Sequence, residues 1–259
     1  MLLTIDVGNS NIVVAVYDNQ KQRVFQQRFV TVKENVSEFY RNWVRHDLLP
    51  LNQKIELTAY CIGSVVPSIT ADIIEIIESE LKIKGLNINT KTVPEFVVKL
   101  VDPTELGADF IATSVGAMAK YPLPIILADL GSATKISVLD SQGEFKGGII
   151  SPGIGISSEA LTRFIPQLPA IKIEVPAKVI GNDTITSMQS GLLYGAIAMV
   201  EGLAVKIEAE LGMQATKVVT GGYAAELYQA MKDFVYDDFI LNEGLYEIYV
   251  SHVDSLSKK

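Results

Sequence analysis

Two apolar strands that each run straight into the same kind of short turn constrain this chain more than any other feature. Residues 2–6 lead into Asp6-Val7-Gly8-Asn9-Ser10-Asn11, and residues 125–129 lead into Asp129-Leu130-Gly131-Ser132-Ala133-Thr134. Two further β-branched, apolar runs follow each turn across polar breaks, at 12–17 and 23–30 in the first half and at 133–139 and 145–149 in the second. Helical spacing is found at 36–48, through Phe39, Trp43 and Val44, and at 68–81, through Ile73, Ile74, Ile76 and Ile77, with a strand at 57–62 between them. A helix over 106–120 follows Pro103 and stops at Tyr121-Pro122, because proline disfavours helical backbone in the residue before it. The second half is expected to continue with helices at 157–164 and 186–211, a strand at 217–220 closing on Gly221-Gly222, a helix at 224–232, a short strand near Phe239 and a last helix around 245–250. An order of βββαβα stated twice predicts two layered α/β domains, 1–120 and 121–259, with a cleft between them.

Composition removes most other readings. With 48% hydrophobic and 20% charged residues in 259, the chain has the apolar mass for a packed core, so disorder is excluded. The formal net charge of −8 repels a nucleic-acid backbone over most of the surface, and no nucleic-acid partner is expected. A small anion is still acceptable if backbone N–H groups and a local cation receive it. The one cysteine, Cys61, lies in an apolar run and cannot make an internal disulfide, and His46 and His252 are the only histidines, which leaves little for a His-rich metal site. The start MLLTIDVGNSN lacks the basic region of a secretory leader, and no window reaches the ~20 apolar residues of a spanning helix, the best being 188–200. A cytoplasmic protein with no membrane partner is expected.

The repeated turn has a chemical meaning. An acid at a strand end can hold a cation, and a glycine with polar residues after it can aim successive N–H groups at phosphate oxygens. One such turn is an ordinary hairpin, but two at the same place in duplicated halves point to a phosphate cradle. Neither GxxxxGK[ST] nor GxGxxG follows a strand.

Asp6-Val7-Gly8-Asn9, Asp129-Leu130-Gly131-Ser132 and Thr220-Gly221-Gly222 resemble the two phosphate motifs and the adenosine motif of the acetate and sugar kinase/Hsc70/actin superfamily. That resemblance implies two duplicated ribonuclease H-like (actin-like ATPase) α/β domains with an interdomain cleft. Pro103 with Gly107-Ala108-Asp109, the run Gly147-Gly148-Ile149-Ile150-Ser151-Pro152-Gly153, Leu168-Pro169, and Gly181-Asn182-Asp183-Thr184 with Ser187-Met188-Gln189-Ser190-Gly191 are similar to the type III pantothenate kinases, over nearly the whole chain. The family implies ATP-dependent phosphorylation of pantothenate to 4'-phosphopantothenate, the first step of coenzyme A biosynthesis, by a homodimer. By the same pattern Asp6, Val7, Gly8, Asn9, Ser10, Asn11, Ile12 and Val13 hold ATP, with Asp6 toward the Mg²⁺ that accompanies it, and Ser132 touches ATP from the other wall. Asp109 is the general base, Gly107, Ala108, Asp109, Phe110 and Thr184 meet pantothenate, and Asp129 holds a monovalent cation, K⁺ or NH₄⁺.

Plainer roles compete at several of these positions. Asp109 also suits the first turn of a helix, Thr184 or Asp183 can cap one, and Gly147, Gly148 and Gly153 serve wherever backbones approach closely. The stripe Leu192, Leu193, Ile197, Val200 and Leu203 reads as core or dimer interface. The chain also departs from the family pattern. Phe110 stands where an arginine follows Gly-Ala-Asp, Leu100 where a tyrosine meets the substrate, Lys135 at a threonine position of the second phosphate motif and Ser137 where an aspartate is common. The nucleotide half of the signature is better kept than the acceptor half. A kinase for another small hydroxylated acceptor, and a catalytically weak nucleotide-binding paralogue with a regulatory role, are therefore carried as alternatives. Lys135, near Asp129, is read either as a charge supplied to the site or as a solvated lysine on a strand face.

Overall fold

A computed structural model describes residues 1–257 and divides the chain into two compact units. The first comprises Met1–Phe96, Val101–Ala119 and the C-terminal segment from Ile240. Its elements are β1 (Leu2–Val7), β2 (Asn11–Tyr17), β3 (Arg23–Val30), α1 (Val36–Trp43), a π turn (Val44–Leu48), α2 (Leu49–Ile55), β4 (Ala59–Ser64), α3 (Pro67–Leu81), β5 (Lys84–Asn87), a 3₁₀ turn (Pro103–Glu105), α4 (Ala108–Lys120) and the C-terminal helix Ile240–Ser257. The sheet order is β3-β2-β1-β4-β5. β1 is antiparallel to β2 and parallel to β4, so it is the central strand.

Because side chains alternate across a strand, β1 serves two layers. Leu3, Ile5 and Val7 join Ile69, Ile73, Ile76 and Ile77 of α3 in one apolar core, completed by Tyr40, Val44 and Leu48. Thr4 belongs to the other face, where its hydroxyl accepts a hydrogen bond from Asn242 Nδ2 of the C-terminal helix at 3.1 Å. That helix crosses α4 at backbone distance: a Cβ at Gly244 would stand 1.8 Å from the Ala112 carbonyl oxygen, and one at Gly116 would stand 2.1 Å from that of Ile240. The expected second domain, 121–259, therefore loses its last helix to the first unit. Leu245 and Ile248 find their burial there, with Leu245 packed beside Gly63 of β4.

The second unit holds Val97–Leu100 and Lys120–Phe239. It contains β6 (Ile125–Leu130), β7 (Ala133–Leu139), β8 (Phe145–Pro152), α5 (Ile154–Phe164), α6 (Thr184–Gln189), a π turn (Ser190–Tyr194), α7 (Gly195–Leu211), β9 (Thr216–Thr220), α8 (Ala224–Leu227), a 3₁₀ turn (Tyr228–Ala230) and β10 (Phe234–Tyr236). Its order, β10-β9-β6-β7-β8, repeats that of the first sheet strand for strand. The repetition reaches the details. β1 and β6 share one burial pattern, with only the acid at the fifth position half-exposed, and the hairpin registers slip at equivalent places, Val16/Tyr17 and Val138/Leu139.

Helices α6 and α7 with their π turn form one helical stretch, Thr184–Leu211, of 28 residues whose most apolar window has a mean hydropathy of 1.4. By length and composition alone this stretch is long and apolar enough to cross a membrane, which the sequence windows did not suggest. Its buried stripe, Leu193, Ile197, Val200, Ala204 and Ile207, lies in the core of the second unit against Ile126, Ala128 and Val219. Other differences are local. β5 was not foreseen, β10 lies at Phe234–Tyr236 and not near Phe239, and the helix expected over 224–232 closes into a 3₁₀ turn after Leu227.

Candidate active site

In the first unit the repeated turn caps the central strand. Asp6, half-buried, is the next-to-last residue of β1 and faces Val13 across the hairpin. The Gly8 N–H donates to the Asn11 carbonyl at 3.0 Å, and a Cβ at Gly8 would meet that same oxygen at 2.9 Å, so only glycine closes this turn without displacement. Thr31, just after β3, clamps the turn twice: its hydroxyl donates to the Gly8 carbonyl at 2.6 Å and its N–H to the Ser10 carbonyl at 3.0 Å. Lys33 Nζ lies 3.2 Å from Asn9 Oδ1, which brings a cation to the exposed tip. Val7 and Ile12 are fully buried in the core, so of the eight expected ATP contacts these two can offer only backbone. The Gly8 N–H, aimed at phosphate in the sequence-based picture, closes the hairpin instead.

Asp109 comes to the same edge of the first sheet. The N–H of Val65, just after β4, donates to the Val7 carbonyl at 3.0 Å, and a Cβ on Gly107 would stand 3.6 Å from Val65 Cγ1. The loop before α4 is thus seated where β1 and β4 end. Asp109 is in the first turn of α4, half-buried, and its Oδ1 accepts the N–H of Phe110 at 2.9 Å. A Cβ on Gly107 would come within 2.5 Å of that oxygen, so glycine at 107 is what lets the carboxylate fold back over the helix start. Of the other expected acceptor residues here, Ala108 is buried and the Phe110 side chain is half-buried.

The second unit builds the counterpart. The Gly131 N–H closes the turn onto Ala133 at 3.2 Å, one residue tighter than the first turn, and Ser132 is exposed at its tip. Gly153 sits under this turn, its N–H donating to the Ser132 carbonyl at 3.2 Å, with no room for a Cβ, which would lie 2.3 Å from that oxygen. Gly221, at φ +99, passes over Asp129 so closely that a Cβ would come within 2.4 Å of Oδ1. The opposite carboxylate oxygen, Oδ2, is paired with Lys135 Nζ at 2.8 Å across the β6–β7 ladder. Thr184 is elsewhere in this unit, exposed at the first position of α6. Asp183, not Thr184, is the cap, its carboxylate accepting the Thr186 N–H at 2.8 Å and held below the usual carboxylate range by that bond and by the Thr186 hydroxyl.

The two five-stranded sheets define a mixed α/β fold of the actin-like ATPase and sugar kinase class. The activator of the 2-hydroxyisocaproyl-CoA dehydratase from Clostridium difficile, solved with bound ADPNP, shares it at a TM-score of 0.54 and 12% identity, covering 100% of this chain and 97% of that one. An inorganic polyphosphate/ATP-glucomannokinase from Arthrobacter does so at 0.53 and 13%, covering 98% of each chain. The sequence profile of the type III pantothenate kinases matches residues 2–206. The type III pantothenate kinase of Roseiflexus sp. (strain RS-1) is 36% identical over 253 residues, 96% of this chain and 98% of that protein. This chain belongs to the type III pantothenate kinase family.

Thr31 and Lys33 escaped the sequence reading as site residues, and Gly221 was read there as part of the adenosine motif and not as a neighbour of Asp129. Thr31 and Lys33 follow an edge strand and become neighbours of the turn only through β2–β3 pairing, though a threonine and a lysine next to an expected meander were visible as candidates. Gly221 was visible as part of Thr220-Gly221-Gly222, but its approach to Asp129 depends on β9 lying beside β6.

Proposed function

We propose that this chain transfers the γ-phosphoryl group of ATP to the primary hydroxyl of pantothenate, giving 4'-phosphopantothenate at the first step of coenzyme A biosynthesis. The observation that carries the reading is family membership over residues 2–206 combined with Asp6 and Asp109 seated at one edge of the first sheet. Phosphoryl transfer asks mainly for positioning and charge neutralisation. Asn9 and Ser10 at the tip of the first turn, with Lys33 beside them, receive phosphate oxygens. Among the described residues no cluster of three or more His, Cys, Asp or Glu side chains could hold a metal alone. A divalent ion would come with the nucleotide, held on the protein side by Asp6, and would supply positive charge to the phosphates. In the second unit, exposed Ser132 at the turn tip is the position that the family pattern assigns to ATP.

Asp109 is the general base. Its carboxylate, oriented by the Phe110 N–H on Oδ1, takes the hydroxyl proton as the pantothenate oxygen bonds to γ-phosphorus and the bond to the β,γ-bridging oxygen breaks, the charge leaving on ADP. In the first unit Gly107, Ala108 and Phe110 are assigned to pantothenate, the apolar Phe110 ring offering packing where the family has a guanidinium; in the second, Thr184 is the position the family pattern assigns to it. We further propose a cytoplasmic homodimer. Its support is an apolar groove of about 590 Å³ on the second unit between α5 and α6, lined by Ile156, Leu161, Phe164, Ile165, Met188 and Leu192. Assay of ADP release with pantothenate as acceptor tests the reading. Turnover with pantothenate supports it, turnover only with other hydroxylated acceptors replaces the substrate, and ATP binding without turnover replaces the enzyme by a nucleotide-binding regulator.

A further inference from the structure

The monovalent cation that the family implies at Asp129 does not fit the residues that surround this carboxylate. Asp129 is the duplicate of Asp6: both are fifth in the central strand and both are the only half-exposed residue of it. The residue across the hairpin differs. Asp6 faces Val13, whereas Asp129 faces Lys135. Lys135 Nζ stands 2.8 Å from Asp129 Oδ2, with both side chains about four-fifths buried, at 19% and 18% exposure. Oδ1 lies against the glycine backbone of residues 131 and 221, where added Cβ atoms would come within 3.3 and 2.4 Å. One oxygen is thus walled by backbone and the other carries an ammonium. Ser137, the next β7 residue on the Lys135 face, is buried and neutral and adds no second negative charge. An added K⁺ would have to displace Lys135 or share a single carboxylate with it, and like charges a few ångströms apart in a site largely removed from solvent repel strongly.

We propose that the Lys135 ammonium replaces the monovalent cation: the chain carries its own fixed positive charge at Asp129 and turns over without added potassium or ammonium. A lysine is suited to this because its ammonium is a compact point charge on a flexible stem, with three N–H groups to share between Asp129 and an anionic ligand. Lys135 acts as a positioning residue. The turnover half of the inference rests on the pantothenate kinase reading; the binding half does not.

Two measurements test it. Crystals of the wild-type protein and of Lys135→Thr are soaked in thallium(I), a heavy stand-in for K⁺, and the anomalous signal within coordination distance of Asp129 is compared. The expected result is no peak in wild type and a peak in Lys135→Thr; a wild-type peak with Lys135 displaced overturns the proposal. Turnover is then followed with K⁺ replaced by N-methylglucamine. Wild type is expected to keep its rate within about twofold, while Lys135→Ala loses tenfold or more and is rescued by K⁺ or NH₄⁺. A wild-type rate that depends on K⁺ and a variant whose dependence is unchanged overturn it. Lys135→Met, of similar length and uncharged, separates the charge from packing, since only loss of charge is rescued by added cation. Absence of turnover with pantothenate in every salt strikes the functional reading alone, and the thallium comparison still decides the cation.

Discussion

At the scale of single residues, the proposed phosphoryl transfer turns on position 109. Its carboxylate is folded back by the Phe110 N–H and given room by Gly107, an arrangement that fixes the orientation of Oδ1. Asp109→Asn keeps that hydrogen bond and the shape but loses the proton acceptor. It is expected to lower kcat by about 10²–10⁴-fold while ATP affinity, measured by calorimetry, changes little. The places of these acids were legible in the chain itself, because Asp6 and Asp129 end apolar runs at a repeated turn and Asp109 opens a helix. The Asp129–Lys135 pair was half legible. Residues on either side of a hairpin turn face each other, so their proximity followed from the turn, but the crowding of Gly221 over the other oxygen did not.

At the scale of elements, the crossing of α4 with the C-terminal helix sets where Asp109 can stand. Gly116 and Gly244 let the two backbones touch, and a methyl at either has nowhere to go. Gly244→Ala is expected to destabilise the fold by about 1–3 kcal/mol or more in urea denaturation, and to lower kcat as α4 shifts. A second device ties α3 to α1 and to the π turn that follows α1. Glu80 of α3 accepts from Arg45 Nε and Nη2 at 2.9 Å each and from Arg41 Nη1 at 2.7 Å, and the Arg45 bonds, then the Arg41 bond, draw its carboxyl down from about 4.5 to about 2. A carboxyl lowered by folding stabilises the native state above its unfolded value and loses that contribution as pH falls toward the folded one. Glu80→Gln should therefore lower Tm at pH 7, with the gap to wild type shrinking below about pH 4.5 and closing near pH 2. Elements with clear alternation or long apolar faces were readable from sequence. Lys84-Gly85-Leu86-Asn87 was not, since a four-residue edge strand with one buried side chain carries no periodicity; it is a strand because β4 offers it a ladder.

At the scale of the whole molecule, the duplication was visible as a repeated order, and both sheets bear it out to the level of register slips. The division of the chain was not. A helix at the end of a sequence carries no mark of which sheet it covers, and only the fit of Gly244 on Ala112 and of Asn242 on Thr4 assigns it to the first. The exposed Phe164, at 78%, on the rim of the apolar groove gives the association proposal its test. Phe164→Glu is expected to shift the sedimenting species from dimer to monomer at micromolar concentration, with Tm little changed.

The return of that last helix has a consequence for how the protein is made. Chains usually complete their domains in the order in which the ribosome releases them. Here nearly all of the second unit, from Lys120 to Phe239, is synthesised before the helix that covers the first sheet exists. The Thr4 face of β1 must wait, uncovered, through the manufacture of an entire sheet that is its own likeness, strand for strand. Nascent chains arrested before Ile240 are the species in which pairing with the wrong half has its opportunity, and those in which chaperone contact should be greatest.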